Sequence, residues 1–392
     1  MADRKTTALA GLKVIELARI LAGPWIGQTL ADLGADVIKV ESPQGDDTRS
    51  WGPPFINRPD GKGGTEKVAA YFHAANRGKR SIVCDFAVAA DLEKLKDLIA
   101  EADVLVENFR VGGLKKFGLD YESVAKLNPR IVYASVTGFG QTGPRASHPG
   151  YDFLIQGMCG IMDLTGEPER EPQKVGVAWI DIFTGLYGVI GIQAALVERE
   201  RSGRGQQIDL SLMDTGVAVL ANQAMNYLAG NNLPRRLGNA HPNIVPYQVF
   251  PAADGHIIIA CGNDRQFTAL CDVLGLGGYS SDPAYVSNAA RVTNRIALCE
   301  AIAEATKSRA KTELIAALEH AGVPGGPINT VGEALNDPQV RARGLQIEPE
   351  GLPGLRTPIL FSRSALSLER AAPILGDTAC HFPRSDAEEG TI

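Results

Sequence analysis

The run LKVIELARILAGPWIGQTLADLGADVIKVE, residues 12–41, decides the architecture. Leu12–Leu17 is a short aliphatic run that reads as a strand. The loop Ala18–Gly23 follows. Pro24 opens a helix over Trp25–Leu33, because its fixed φ suits the first helical position and its missing N–H costs nothing there. Gly34 stands where a left-handed cap ends a helix. Ala35–Val40 is a second strand, closed by Glu41. A strand, a helix and a strand of these lengths predict two parallel strands joined by a right-handed crossover. No G-x-G-x-x-G follows the first strand; Ala22-Gly-Pro24 stands there instead, which argues against a dinucleotide site.

The same alternation continues. Ser81–Cys84, Asp103–Glu107 and Ile131–Val136 read as strands, with helical stretches over Ala89–Ala100 and Leu114–Phe117. The first two hundred residues or so therefore predict a doubly wound α/β domain. Gln207–Leu212 reads as a further strand and Asp214 to about Ala229 as a helix. Gly230–Pro242 is turn-rich. A distinct α+β pattern begins at Tyr247, with strands Tyr247–Phe250 and His256–Ala260. Helices are expected near Asp264–Leu274, Asn294–Thr306 and Lys311–Ala321. Short strand-like pieces at Gly344–Ile347 and Thr357–Phe361 are too few for a domain of their own, and are expected to return to the first.

Composition bounds the class. The chain has 392 residues, 44% hydrophobic and 21% charged, a globular balance that makes two domains the natural expectation. Net charge is −6 with no basic block, which argues against nucleic acid as a partner. Cys84, Cys159, Cys261, Cys271, Cys299 and Cys380 are scattered, without C-x-x-C spacing. This predicts a reducing, cytoplasmic setting and no zinc site. The N-terminal residues lack an apolar signal core, and the apolar stretch Leu186–Val197 reads as too short to cross a membrane.

One carboxylate stands out. Asp181 follows the apolar, strand-like stretch Val175–Ile180 and precedes an apolar helical run through Leu196. At a helix start it faces unpaired N–H groups and the positive end of the helix dipole. Two readings are open. It is a helix N-cap, for which Asp is among the preferred residues, or it is an ionised carboxylate nucleophile.

The chain resembles the class III CoA-transferase family, the formyl-CoA and carnitine CoA-transferase type, over nearly its whole length. The resemblance rests on several segments in one order. These are Leu12–Leu17 with Ala22-Gly-Pro24, Leu33–Glu41, Lys79-Arg-Ser-Ile82 with Asp85, and Asp103-Val-Leu-Val-Glu-Asn-Phe109. Ala134–Gly138, Gly150-Tyr-Asp152 and Ser202-Gly-Arg-Gly-Gln206 complete the series. The family's nucleophilic aspartate falls on Asp181. The resemblance implies transfer of CoA from an acyl-CoA donor to a free carboxylic acid through aspartyl anhydride and aspartyl-CoA thioester intermediates, with succinyl-CoA the expected donor. CoA is then a substrate, and no cofactor is permanently bound. CoA contacts are implied at Arg19, Ile20, Cys84, Asn108, Phe109 and Lys116, and acyl-group contacts at Leu21, Trp51, Tyr71, Phe139 and His241. Leu21 and Phe139 replace a glutamine and a tyrosine of formyl-CoA transferase, so a more apolar pocket is expected. The tetraglycine loop of that enzyme is absent; Gly238-Asn-Ala-His-Pro-Asn243 stands in its place.

The same family has a racemase branch whose Gly-His-Asp motif supplies a proton-transfer histidine. Here that position is Tyr151, a poor base at neutral pH. A racemase or a non-catalytic CoA-binding protein are the alternatives to transfer. Arg77, Lys79 and Arg80 form a basic cluster that reads either as phosphate-binding or as a solvated turn. Arg19, Arg49, Arg235 and Arg236 are candidate carboxylate clamps. The resemblance further implies a Rossmann-like large domain from both chain ends (1–205 and 340–392), a smaller α+β domain (241–325) between linkers (206–240 and 326–339), and an interlocked homodimer. The polar tail that follows Thr378–Pro383 is expected to be mobile.

Overall fold

A computed structural model describes residues 6–60, 63–378 and 380–382. The expected tail, 383–392, lies outside the described residues. The chain forms two compact units, one of residues 1–161, 174–225 and 341–392 and the other of 162–173 and 226–340.

The strands of the larger unit are β1 (Lys13–Glu16), β2 (Asp36–Glu41), β3 (Phe55–Pro59), β4 (Thr65–Ala69), β5 (Arg80–Val83), β6 (Val104–Glu107), β7 (Val132–Thr137) and β8 (Gln207–Ser211). β3 and β4 form a separate antiparallel hairpin. The other six make one parallel sheet in the order β5-β2-β1-β6-β7-β8. The sheet grows outward from β1 in one direction and then reverses from β6 in the other. The crevice beyond the carboxyl ends of β1 and β6 is therefore the topological switch point, where open α/β sheets bind ligands.

Helices α1 (Ala22–Asp32), α2 (Ala70–Asn76), α3 (Ala89–Glu101), α4 (Tyr121–Leu127), α5 (Asp152–Met158), α6 (Ile161–Leu164), α7 (Trp179–Ser202) and α8 (Leu212–Ala218) follow in chain order. Alternate strand residues enter two separate cores. Val14, Val104, Val106, Val132 and Ala134 pack with Ile26, Ile180 and Ile192 on one face. Ile15, Leu105 and Tyr133 pack with Leu95, Leu98 and Val124 on the other. A parallel sheet buried on both faces accounts for the near-continuous apolar runs of its strands.

Helix α7 differs from its expectation. It runs for 24 residues, long and apolar enough to cross a bilayer by length and composition. Its apolarity is explained by packing on one side: Ile180, Val189, Ile192 and Ala195 lie in the core, and the buried Arg199 pairs with Asp103 at 2.9 Å. Gly185 sits against Ala22 O and Trp25, and Gly188 against Ile26, so small residues let α7 approach α1 closely. Leu186, Tyr187, Ile190 and Val197 are left exposed on its other side.

Other boundaries shift as well. The segment 206–240, expected as a linker, contributes β8 to the edge of the large sheet and α8 to its packing. The segment 326–339 holds a helix, Val331–Asn336, with a Thr330–Glu333 capping box. Thr357–Phe361 is not a strand; the Thr357 N–H instead donates to Asp32 at 2.8 Å.

The smaller unit carries β9 (Tyr247–Ala252), β10 (Gly255–Ala260) and β11 (Gly325–Pro327) in an antiparallel sheet. Its core joins Phe250, Ile257 and Ile259 to Phe267, Leu298 and Leu314. The fully buried Arg291 donates to Val245 O and Tyr285 O and pairs with Asp264 at 2.7 Å.

Candidate active site

A cavity of about 450 Å³ opens at the switch point. The loop after β1 supplies Arg19, Ile20, Leu21 and Ala22; the loop after β6 supplies Asn108, Phe109 and Arg110. Gly138, Gly150, Tyr151 and Asp181 line it as well. Two of these loops are tied to each other. The Arg19 N–H donates to Asn108 Oδ1 at 2.9 Å, and Asn108 Nδ2 donates to Arg19 O at 2.6 Å. The Arg19 guanidinium lies over the Phe109 ring and pairs with Asp47 on the surface.

Asp181 does not cap its helix. The stretch before it, Val175–Ala178, is coil rather than strand, and α7 begins at Trp179. Asp181 is thus the third helical residue. The capping carboxylate comes from 29 positions upstream: Asp152 Oδ2 accepts the N–H groups of Ile180 at 2.8 Å and Asp181 at 3.2 Å. Gln156, fully buried, steadies this arrangement. Its Nε2 donates to Asp152 Oδ1 at 2.6 Å, and its Oε1 accepts the Val175 N–H at 2.8 Å. With the orphan N–H groups satisfied by Asp152, the Asp181 carboxylate has no capping task. Among the described residues no cation or hydrogen-bond donor is paired with it.

Burial pushes the Asp181 carboxyl up to about 7, and the neighbouring Asp152 charge adds to the rise. The helix start therefore does not hold this carboxyl in the ordinary carboxylate range. Any chemistry that needs the Asp181 anion loses rate as pH falls through about 7. Titrating the side-chain carboxyl by NMR with labelled aspartate is expected to give that midpoint. Asp152→Asn removes the repelling charge and should move it downward, though not to the ordinary 3.8, because burial remains the larger cause. A midpoint unmoved by Asp152→Asn would contradict this electrostatic account.

Of the other expected contacts, Leu21 is buried at the cavity wall. Tyr71 packs edge-on against the half-exposed Trp51, ring centroids 5.4 Å apart. Its phenol is held above its ordinary value by burial and then by Asp181, Asp152 and Asp46, which places it within the field of these carboxylates. Phe139 packs on the sheet core beside His148.

Two expected contacts of the larger unit, Cys84 and Lys116, are not brought to the cavity. Cys84 is buried in the apolar core under α3, its thiol pushed up to about 12 by burial. Lys116 is exposed on a short 3-10 turn, with its Nζ over Phe117. His241 belongs to the smaller unit. There its Nδ1 accepts the Asn243 N–H at 3.0 Å and its ring lies beside Tyr247. Neither reading of Arg77, Lys79 and Arg80 holds. Arg77 is buried against Asp32 and Arg80 is bound to Asp36. Lys79 is fully buried against Glu16, Asn76 and Pro24 O. Arg49, a candidate clamp, is consumed by Glu41 and Glu66. Arg236 pairs with Asp163 within the smaller unit.

Known proteins resemble this chain over nearly its whole length. The sequence profile of CoA-transferase family III matches residues 9–379. The chain is 53% identical over 383 residues to succinate–glutarate CoA-transferase of Agrobacterium fabrum, covering 96% of this chain and 95% of that one. It is 39% identical to the human succinyl-CoA:glutarate CoA-transferase, over 95% of this chain and 85% of that protein. Among solved structures, a CAIB/BAIF family protein from Brucella suis superposes with a TM-score of 0.85 at 60% identity, covering 95% of this chain and 97% of that one.

Proposed function

Because the chain belongs to CoA-transferase family III and is a CoA-transferase, we propose that it moves CoA from succinyl-CoA to a dicarboxylic acid of glutarate size, with Asp181 as nucleophile. The donor and acceptor are supported by what the bacterial and mammalian relatives are named for. The observation that carries the nucleophile is the Asp181 carboxylate itself. It lines the switch-point cavity, and Asp152 has taken over the capping that an aspartate at this position ordinarily does.

The chemistry follows from acyl transfer. An Asp181 carboxylate oxygen attacks the thioester carbonyl carbon; the C–S bond breaks, leaving a mixed anhydride and CoA thiolate. The thiolate attacks the aspartyl carbonyl of the anhydride, releasing the donor acid and forming an aspartyl-CoA thioester. An acceptor carboxylate then attacks that thioester, and the released thiolate collects the new acyl group and regenerates Asp181. Each step breaks one acyl bond as it forms another, which splits one difficult exchange into easier acyl transfers, the gain of covalent catalysis. An Asp181 carboxyl near 7 is basic enough to attack and is still substantially ionised at neutral pH. Tyr151, at the family's racemase position, is exposed at the cavity rim, so that motif position carries no histidine base, although His148 lines the same cavity.

The acting form is proposed to be an interlocked homodimer. The exposed Leu186, Tyr187, Ile190 and Val197 of α7 support this by offering an apolar face of the kind subunits bury.

Hydroxylamine trapping tests the pathway. Added during turnover of succinyl-CoA with glutarate, it is expected to convert Asp181 alone to a hydroxamate, located by peptide mass spectrometry. A label at any other carboxylate, or none, overturns the nucleophile assignment. A panel of acyl-CoA donors and free acids should show dicarboxylates preferred over formate.

A further inference from the structure

Ile20 is one of four non-glycine residues among those described with a positive φ, at +72°. A β-branched side chain is poorly suited to this left-handed region, so something must hold it there. The residue lines the switch-point cavity, between Arg19 and Leu21.

What holds it is a carboxylate from beyond β2. The Ile20 N–H is shared by both oxygens of Asp46, at 3.4 and 3.3 Å. Asp46 is itself pinned. Its Oδ2 lies 3.0 Å from Lys39 Nζ, with both side chains fully buried, and its Oδ1 accepts from Thr48 N–H and Oγ1. Its own N–H donates to Glu41 at 2.9 Å. Lys39 completes the clamp by donating to Ala18 O at 2.9 Å, two residues before Ile20. Burial alone would lower Lys39, but Glu16, Asp46 and Glu41 together hold it above its ordinary value. Lys39 and Thr48 likewise overcome burial to hold Asp46 below its own. Both groups are therefore charged.

We propose that Asp46, locked by the buried Lys39 ammonium, is a positioning residue that keeps Ile20 in its left-handed conformation and so shapes the CoA crevice between the β1 and β6 loops. It touches no substrate. It acts through the Ile20 backbone, while Asn108 fixes Arg19 from the other side. The functional half of this inference rests on reading the crevice as the CoA site; the backbone half does not.

Glycine provides the test, because it adopts positive φ without help, whereas alanine removes all of the side chain beyond the Cβ but keeps that atom. Four variants are compared: Asp46→Ala, Ile20→Gly, and Asp46→Ala combined with either Ile20→Gly or Ile20→Ala. Hydrogen exchange of the peptide spanning 18–22 is measured in the ligand-free protein, and binding of free CoA by calorimetry. Asp46→Ala is expected to raise exchange and weaken CoA binding, each about tenfold. Adding Ile20→Gly should restore exchange to within about threefold of the parent protein, and CoA binding to within about threefold of the Ile20→Gly single variant; adding Ile20→Ala should restore neither. Equal recovery by the two double variants, or unchanged exchange in Asp46→Ala, overturns the proposal. Should Asp46→Ala fail to fold, Ile20→Gly and Ile20→Ala are compared with Asp46 intact. Strain predicts that the glycine variant melts higher, and the reverse order refutes it. If the parent protein binds no CoA, the crevice reading fails alone, and exchange still decides the role of Asp46.

Discussion

Asp181→Asn should reduce CoA transfer by roughly 10⁴-fold or more, the scale of losing a covalent nucleophile. Free CoA should still bind, because the asparagine is nearly isosteric and the cavity walls contributed by Arg19, Asn108 and Phe109 are untouched. The same variant makes a second, opposite prediction. In the native protein the carboxyl titrates near 7, against 3.8 ordinarily. The folded state thus holds this proton more tightly than the unfolded chain does. The associated stability is present at low pH and is lost as pH rises from about 4 through about 7. Asparagine carries no such loss, so at pH 8 the variant should melt at a higher temperature than the parent. Inactivity with raised stability identifies a group retained for chemistry at the cost of the fold. Residual transfer above about one per cent of the parent rate would sink the nucleophile assignment.

Gly138→Ala is the second substitution with a large expected effect. A Cβ at Gly138 would lie 2.5 Å from Gly150 Cα and 2.8 Å from its N, and one at Gly150 would strike Gly138 in return. Two backbones cross here with no room for a methyl group. Gly150 leads directly into Tyr151 and Asp152, whose carboxylate caps α7 at Asp181. Displacing it shifts the nucleophile. A loss of about 2–3 kcal/mol in stability is expected. Activity should fall by roughly 100-fold even where the protein stays folded, the cost of about an ångström of misplacement. Denaturant melts and kcat measured on the folded fraction separate the two. A stable variant with parental kcat would show that the crossing does not position Asp181.

The two motifs at this crossing, Ala134–Gly138 and Gly150-Tyr-Asp152, were legible in the sequence as segments, but their contact was not. That contrast holds across the molecule. The β1-α1-β2 unit could be read because its signals are local: aliphatic runs, Pro24 at a helix start, Gly34 at its end. The position of Asp181 near a helix start was legible for the same reason. Who caps that helix was not, since Asp152 arrives from 29 residues upstream. Arg77, Lys79 and Arg80 read as an open basic cluster only because Asp32, Glu16 and Asp36 are far away in sequence. Once the strands align, each cation finds a carboxylate on a neighbouring element and leaves solvent. The Lys39–Asp46 pair was invisible on the same grounds, for no pattern marks a buried ion pair whose purpose is the shape of a loop.

The segment from 341 onward belongs to the larger unit, and its contacts give that unit an awkward history. Thr357 and Ser367 donate to Asp32, Pro373 O accepts from Arg49, Ala372 O accepts from Arg58, and Asp377 receives the Ser81 N–H. Asp32, Arg49 and Arg58 are buried or nearly so. During synthesis all six strands of the parallel sheet leave the ribosome while these partners are still more than a hundred residues away. The nascent sheet lacks these partners until the segment from 341 onward has been made, so a premature stop in the smaller unit is expected to leave the larger one without them.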